Sequence, residues 1–178
     1  VPREQTCCGQ PAYNSGFPKE AKKVALKQIQ LFPKNYPIVG PSGSCAGMMK
    51  HHYPLLFEGD AKLEFIQRFS NRIVELSEFL VKTLKIKLQD RGTPIKVTWH
   101  TSCHALREMD IIEDSKSLIR QLQNVELVEL QNENECCGFG GTFAVKQPEI
   151  SGAMVIDKVA DIHQTGASRL LAGDCGCL

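Results

Sequence analysis

With 178 residues, 42% of them hydrophobic and 23% charged, the chain is long enough to bury a core and too apolar to stay disordered. Its 21 basic and 20 acidic residues leave a formal net charge of +1, and the basic residues are scattered, which excludes the basic footprint of a nucleic-acid binder. No segment approaches the roughly 20 apolar residues that span a bilayer, and no charged-then-apolar signal pattern opens the chain, so a cytoplasmic protein is expected.

In chain order, the first feature is a Cys-Cys-Gly turn, Cys7-Cys8-Gly9. Ala21, Val24, Ala25, Ile29 and Phe32 then share one face at helical spacing, which predicts a helix over 18–32 with Pro18 as its first residue. Residues 36–40, bounded by prolines, predict a short buried strand ending in the loop that carries Cys45. His51 and His52 follow on a helix, where exposure to solvent is expected. From Ala61 to about Leu88 the apolar residues Leu63, Ile66, Phe69, Ile73, Leu76, Phe79, Leu80 and Leu84 recur three or four apart, which predicts one long amphipathic helix.

Residues 95–100 predict a strand that runs directly into Cys103, with Trp99 in the core and His100 and His104 flanking the cysteine. A helix over 110–123 follows, its acidic start (Asp110, Glu113, Asp114) explained by the helix dipole. Next come a strand over 125–130, the second Cys-Cys-Gly turn at Cys136-Cys137-Gly138, a helix from Pro148 to about His163, and a closing loop with Cys175 and Cys177. Strand and helix alternate, so the expected fold is α/β, with two pseudo-repeated halves of short parallel sheets flanked by helices. The expected division is a first repeat over 1–60, a bridging helix over 61–91 and a second repeat over 92–178. The repeat also implies that a strand and a helix of the first unit would precede residue 1, and that further helix would follow Cys177.

Ligands in parallel sheets gather beyond the carboxyl ends of the strands, where these cysteines lie. In a reducing cytosol clustered thiols read as soft-metal ligands or redox groups rather than a disulfide framework. Adjacent cysteines chelate one tetrahedral ion poorly but can grip two irons of a cluster, which favours an iron–sulfur cluster over zinc. Gly138, Gly140 and Gly141 allow backbone N–H groups to turn toward the sulfurs. Gly138-Phe139-Gly140-Gly141 lacks the spacing of a phosphate loop, and the absence of Cys-x-x-Cys argues against a thiol–disulfide enzyme.

The segments CCGQPAYNSG, GPSGSC, HTSCH, CCGFGGTFAVK, EISGAMV and GDCGCL resemble the cysteine-rich-domain proteins that include the glycolate oxidase iron-sulfur subunit and the cysteine-rich subunit of heterodisulfide reductase, and within them a lactate-utilisation branch. The resemblance implies an oxidoreductase subunit of an L-lactate oxidation system. It would work with an iron-sulfur protein and a third small subunit to pass electrons toward an acceptor in the respiratory chain. It carries over a ligand set of Cys103, Cys136, Cys137 and Cys177 for a [4Fe–4S] cluster, and a second, weaker set of Cys7, Cys8 and Cys45. His100, His104 and Gly138, placed beside these cysteines in the chain, are the candidate supporting groups. Where the wider family has Cys-x-x-Cys, the first position is Ser42 in one half and Asp174 in the other, and Cys175 has no counterpart. The alternatives are a glycolate oxidase-type iron-sulfur subunit, a zinc-bearing structural or assembly subunit, and, last, a dithiol reductase using Cys136 and Cys137.

Overall fold

The computed structural model describes residues 1–178, and helices and strands alternate along it. After the first Cys-Cys-Gly turn come α1 (Gln10–Asn14) and α2 (Pro18–Gln30). Pro18 suits a first turn, where its missing N–H would have no partner anyway, and Ala21, Ala25 and Ile29 form the buried stripe. Strand β1 (Ile38–Gly40) leads into α3 (Gly43–Gly47), which continues through a π-helical turn, Met48–His52, into α4 (Tyr53–Leu56). Cys45 therefore sits at the start of a helix directly beyond a strand.

The single helix expected over 61–88 is not formed. Instead α5 (Leu63–Ser70) stops, the chain extends as β2 (Ile73–Glu75), and helix resumes as α6 (Leu76–Glu78) and a π-helical turn, Phe79–Thr83. Ile73 and Val74 are a β-branched pair, and they lie in parallel register with Ile38 and Val39. Burying Ile73 in the sheet, 2% exposed, outweighs propagation of the helix. The Glu75 carboxylate then accepts from the Ser77 N–H at 2.6 Å and restarts helical geometry.

The second half begins with β3 (Ile95–His100), a π-helical turn Ala105–Met109, and α7 (Ile112–Arg120). It continues through β4 (Val125–Val128), α8 (Thr142–Lys146), α9 (Pro148–Gln164), β5 (Arg169–Ala172) and a closing 3₁₀ turn, Cys175–Cys177. β1 pairs with β2 in one parallel sheet, and β3 lies between β4 and β5 in a second parallel sheet. The chain is thus α/β, with two small parallel sheets flanked by helices.

One buried cluster serves both halves. Ile29, Met48, Tyr53, Phe57, Ile66 and Phe69 from the first half enclose Ala105, Met109 and Ile111 from the second. Each large side chain so buried contributes about 1.5–3 kcal/mol. The halves meet backbone to backbone at Gly43, where a Cβ would lie 2.9 Å from Ala105. No helix is long and apolar enough to cross a membrane.

Candidate metal centre

Both Cys-Cys-Gly turns are built alike. Gly9 has φ 90° and Gly138 φ 86°, left-handed backbone that costs an L side chain about 1–2 kcal/mol. In each turn the glycine N–H comes back onto a sulfur: Gly9 to Cys7 Sγ at 3.4 Å, Gly138 to Cys136 Sγ at 3.3 Å.

The three strands of the second sheet each deliver cysteine at the carboxyl end: Cys103 beyond β3, Cys136 and Cys137 beyond β4, Cys177 beyond β5. The loop before Cys136 is held by polar groups. Asp161 of α9 accepts from the Gln131 and Asn132 N–H groups, both at 3.0 Å, and Lys158 Nζ donates to the Asn132 carbonyl at 2.6 Å. Lys116 Nζ donates to Glu133 at 2.8 Å and also to Glu129, while Thr101 Oγ1 donates to Glu133 at 3.0 Å. Ser151 Oγ donates to the Gly138 carbonyl at 2.9 Å, and a Cβ on Gly138 would meet Ser151 O at 2.7 Å. Helix α9 thereby faces inward with Ser151, Lys158 and Asp161 and leaves Ile150, Val155, Ile156 and Val159 exposed.

His100, at the end of β3, is 1% exposed, and neither ring nitrogen has a hydrogen-bond partner of ordinary geometry. Ligand atoms of His100, Cys137 and Cys177 lie within 4.8 Å of one another. The Cys177 thiol donating to the Cys137 sulfur, with His100 beside it, pulls Cys137 down to about 4 and pushes Cys177 up. Burial, and then Cys136, push Cys103 up to about 12, and Cys177 in turn feels Cys103. The structure thus brings His100, Cys137 and Cys177 together, while Cys103 and Cys136 lie outside that group of ligand atoms.

In the first half, Cys8 donates to Cys45, which lowers Cys45 to about 7 and raises Cys8. Cys7 is exposed beside them. Cys175 is exposed in the closing turn. Trp99 is half-buried rather than in the core, with its ring against Gly173. His51 is exposed, whereas His52, expected in solvent, is half-buried, with Nε2 3.1 Å from Glu108 Oε1 and its ring 5.0 Å from that of Tyr13. His104 Nδ1 lies 2.9 Å from the same Glu108 oxygen and Nε2 3.2 Å from Gln10 Nε2, so it ties the two halves together. Of the two partners of Glu108, His104 lies four residues earlier on the same turn, whereas His52 comes from the other half and left no sequence signal. Asp174 showed itself only as an acid where a thiol was expected.

Thiolates are soft ligands, and a buried imidazole without a partner is an available donor. This donor set fits a soft or borderline metal ion or an iron–sulfur cluster.

Two small parallel sheets that share one core, with a Cys-Cys-Gly turn in each half of the chain, define an α/β protein built around clustered cysteines. Residues 1–50 and 97–178 match the CCG cysteine-rich domain. Lactate utilization protein A of Halalkalibacterium halodurans is 44% identical over 177 residues, which cover 99% of this chain and 72% of that protein. The protein of the same name in Bacillus licheniformis is 44% identical over 180 residues, covering 99% and 74%. Lactate utilization protein A 1 of Bacillus mycoides is 46% identical over 182 residues, covering 99% and 73%. The chain belongs to the CCG cysteine-rich domain family, in its lactate utilization protein A branch.

Proposed function

We propose that the protein is an iron–sulfur electron-transfer component of an L-lactate oxidation system, with Cys103, Cys136, Cys137 and Cys177 as the ligands of a [4Fe–4S] cluster. The observation that carries this reading is that all three strands of one parallel sheet lead at their carboxyl ends to these cysteines. When bound, the cluster would supply one-electron chemistry. The chain's own residues hold the sulfurs at the edge of the sheet, shield Cys137 from water, and direct the Gly138 N–H at Cys136. Donors of that kind tune reduction potential. Cys7, Cys8 and Cys45 form the second, weaker metal site. The lactate assignment rests on the names of the relatives, and with it come a cytoplasmic location, an iron-sulfur partner, a third small subunit and an electron acceptor. Glycolate is the competing substrate.

A second reading is a structural zinc site, favoured by the mixed set His100, Cys137 and Cys177. Metal and sulfide analysis with an absorption spectrum on anaerobically purified protein separates the two. About four irons and four sulfides per chain, lost in Cys137→Ser, are expected. Zinc without sulfide would overturn the cluster and leave a structural or assembly subunit.

A further inference from the structure

The two cysteine sites meet at a buried carboxylate. Asp174, 6% exposed, stands three residues before Cys177, and Ser42 stands three before Cys45, so the two are equivalent positions of the repeat. They touch: Ser42 Oγ donates to Asp174 Oδ1. Ser44 Oγ donates to the same oxygen at 2.5 Å, and the Ser44 N–H approaches it at 3.4 Å. Burial pushes the Asp174 carboxyl up, but the hydroxyls of Ser102, Ser42 and Ser44 hold it below the usual carboxylate range, so it is charged. The serine loop packs against the second half at Gly43, where a Cβ would lie 2.9 Å from Ala105. That one negative charge is felt by Cys45 on one side and Cys177 on the other.

We propose that Asp174 is a positioning residue that couples the two cysteine sites. It ties the loop carrying Cys45 to the loop carrying Cys177 and sets a fixed negative charge between them, so that loading of one site is felt at the other. Groups that hold ligand loops commonly alter metal affinity 10–100-fold when removed. A nearby negative charge also favours the oxidised state of a metal centre and lowers its potential. The redox part of this inference rests on the metal reading above; the tie between the loops does not.

Two substitutions separate charge from tie. Asp174→Asn removes the charge and keeps an oxygen for the serines, whereas Ser42→Ala with Ser44→Ala removes the hydroxyl tie and leaves the Ser102 hydroxyl and the Ser44 N–H on the carboxylate. On anaerobically purified protein, Asp174→Asn is expected to retain its metal and to raise the reduction potential, read by redox titration of the absorption spectrum. The serine double variant is expected to release metal to a chelator roughly tenfold faster. Cys45→Ser is expected to speed release when made in the wild type and to have no further effect in that background. Wild-type potential in the first variant and wild-type release in the second overturn the proposal. Should the purified protein hold no metal, the function proposed above fails on its own. The tie is then read by hydrogen exchange, where the double variant must accelerate amides of 42–47 and 174–178 together. Acceleration confined to one loop sinks the coupling.

Discussion

The two Cys-Cys-Gly turns share a conformation but stand on different foundations. The first rests on apolar packing: Gly9 lies over Val24 of α2, and Tyr53, fully buried, donates to the Cys8 carbonyl at 2.8 Å. The second rests on polar pins, since α9 turns Ser151, Lys158 and Asp161 toward the loop and its apolar residues outward. Apolar support is non-directional and degrades gradually, whereas buried polar support fails when one partner is removed, because the other is left unpaired. The same local signature can therefore be held in two ways with different tolerance to change.

The largest expected effect tests the polar side. Asp161→Ala strips the acceptors from the Gln131 and Asn132 N–H groups and leaves Lys158, 3% exposed, without its carboxylate. A loss of about 3–5 kcal/mol is expected in denaturant unfolding of the metal-free protein. A loss under about 1 kcal/mol would show that the loop does not depend on these pins.

The glycines sharpen the contrast. Gly138→Ala combines left-handed strain with a Cβ 2.7 Å from the Ser151 carbonyl, and a cost of about 3 kcal/mol is expected. At Gly9 the nearest atoms would be 3.4 Å away, so Gly9→Ala should cost only the strain, about 1–2 kcal/mol. Equal costs would mean that the two turns are supported alike. Tyr53→Phe keeps the apolar packing and removes one buried hydrogen bond, for a loss of about 1 kcal/mol in the same measurement.

The smallest effect concerns pH. In metal-free reduced protein, Cys45, lowered to about 7, is expected to lose half its alkylation rate as pH falls through that value. Cys137, lowered to about 4, should keep its thiolate, and a nearly flat rate profile, until the pH falls close to 4. Mass spectrometry of each alkylated peptide reads both profiles, and parallel profiles would show that His100 and Cys177 do not set Cys137 apart.

Periodicity served well where one element met one environment. The helix expected over 18–32 appears as Pro18–Gln30, the strand over 95–100 as Ile95–His100, and the helix starting at Pro148 as Pro148–Gln164. It failed over 61–88, where Ile73 satisfies a helical and a strand pattern equally and pairing with Ile38 decides. It was also silent on His52, whose partner Glu108 belongs to the other half. The cysteine positions were legible because residue type and strand order suffice to place them; the proximity of His100 to two sulfurs was not, because it depends on which way the ring turns at the end of β3.

The sequence by itself determined the duplicated Cys-Cys-Gly turns, the alternation of helix and strand, and the softness of the candidate donors. These follow from local backbone preference and side-chain chemistry. The tertiary structure alone decided the break at β2, the polar inner face of α9, and the contact between Ser42 and Asp174, which lie 132 positions apart. Such features arise only when distant segments compete for the same buried space, and local sequence carries no measure of that competition.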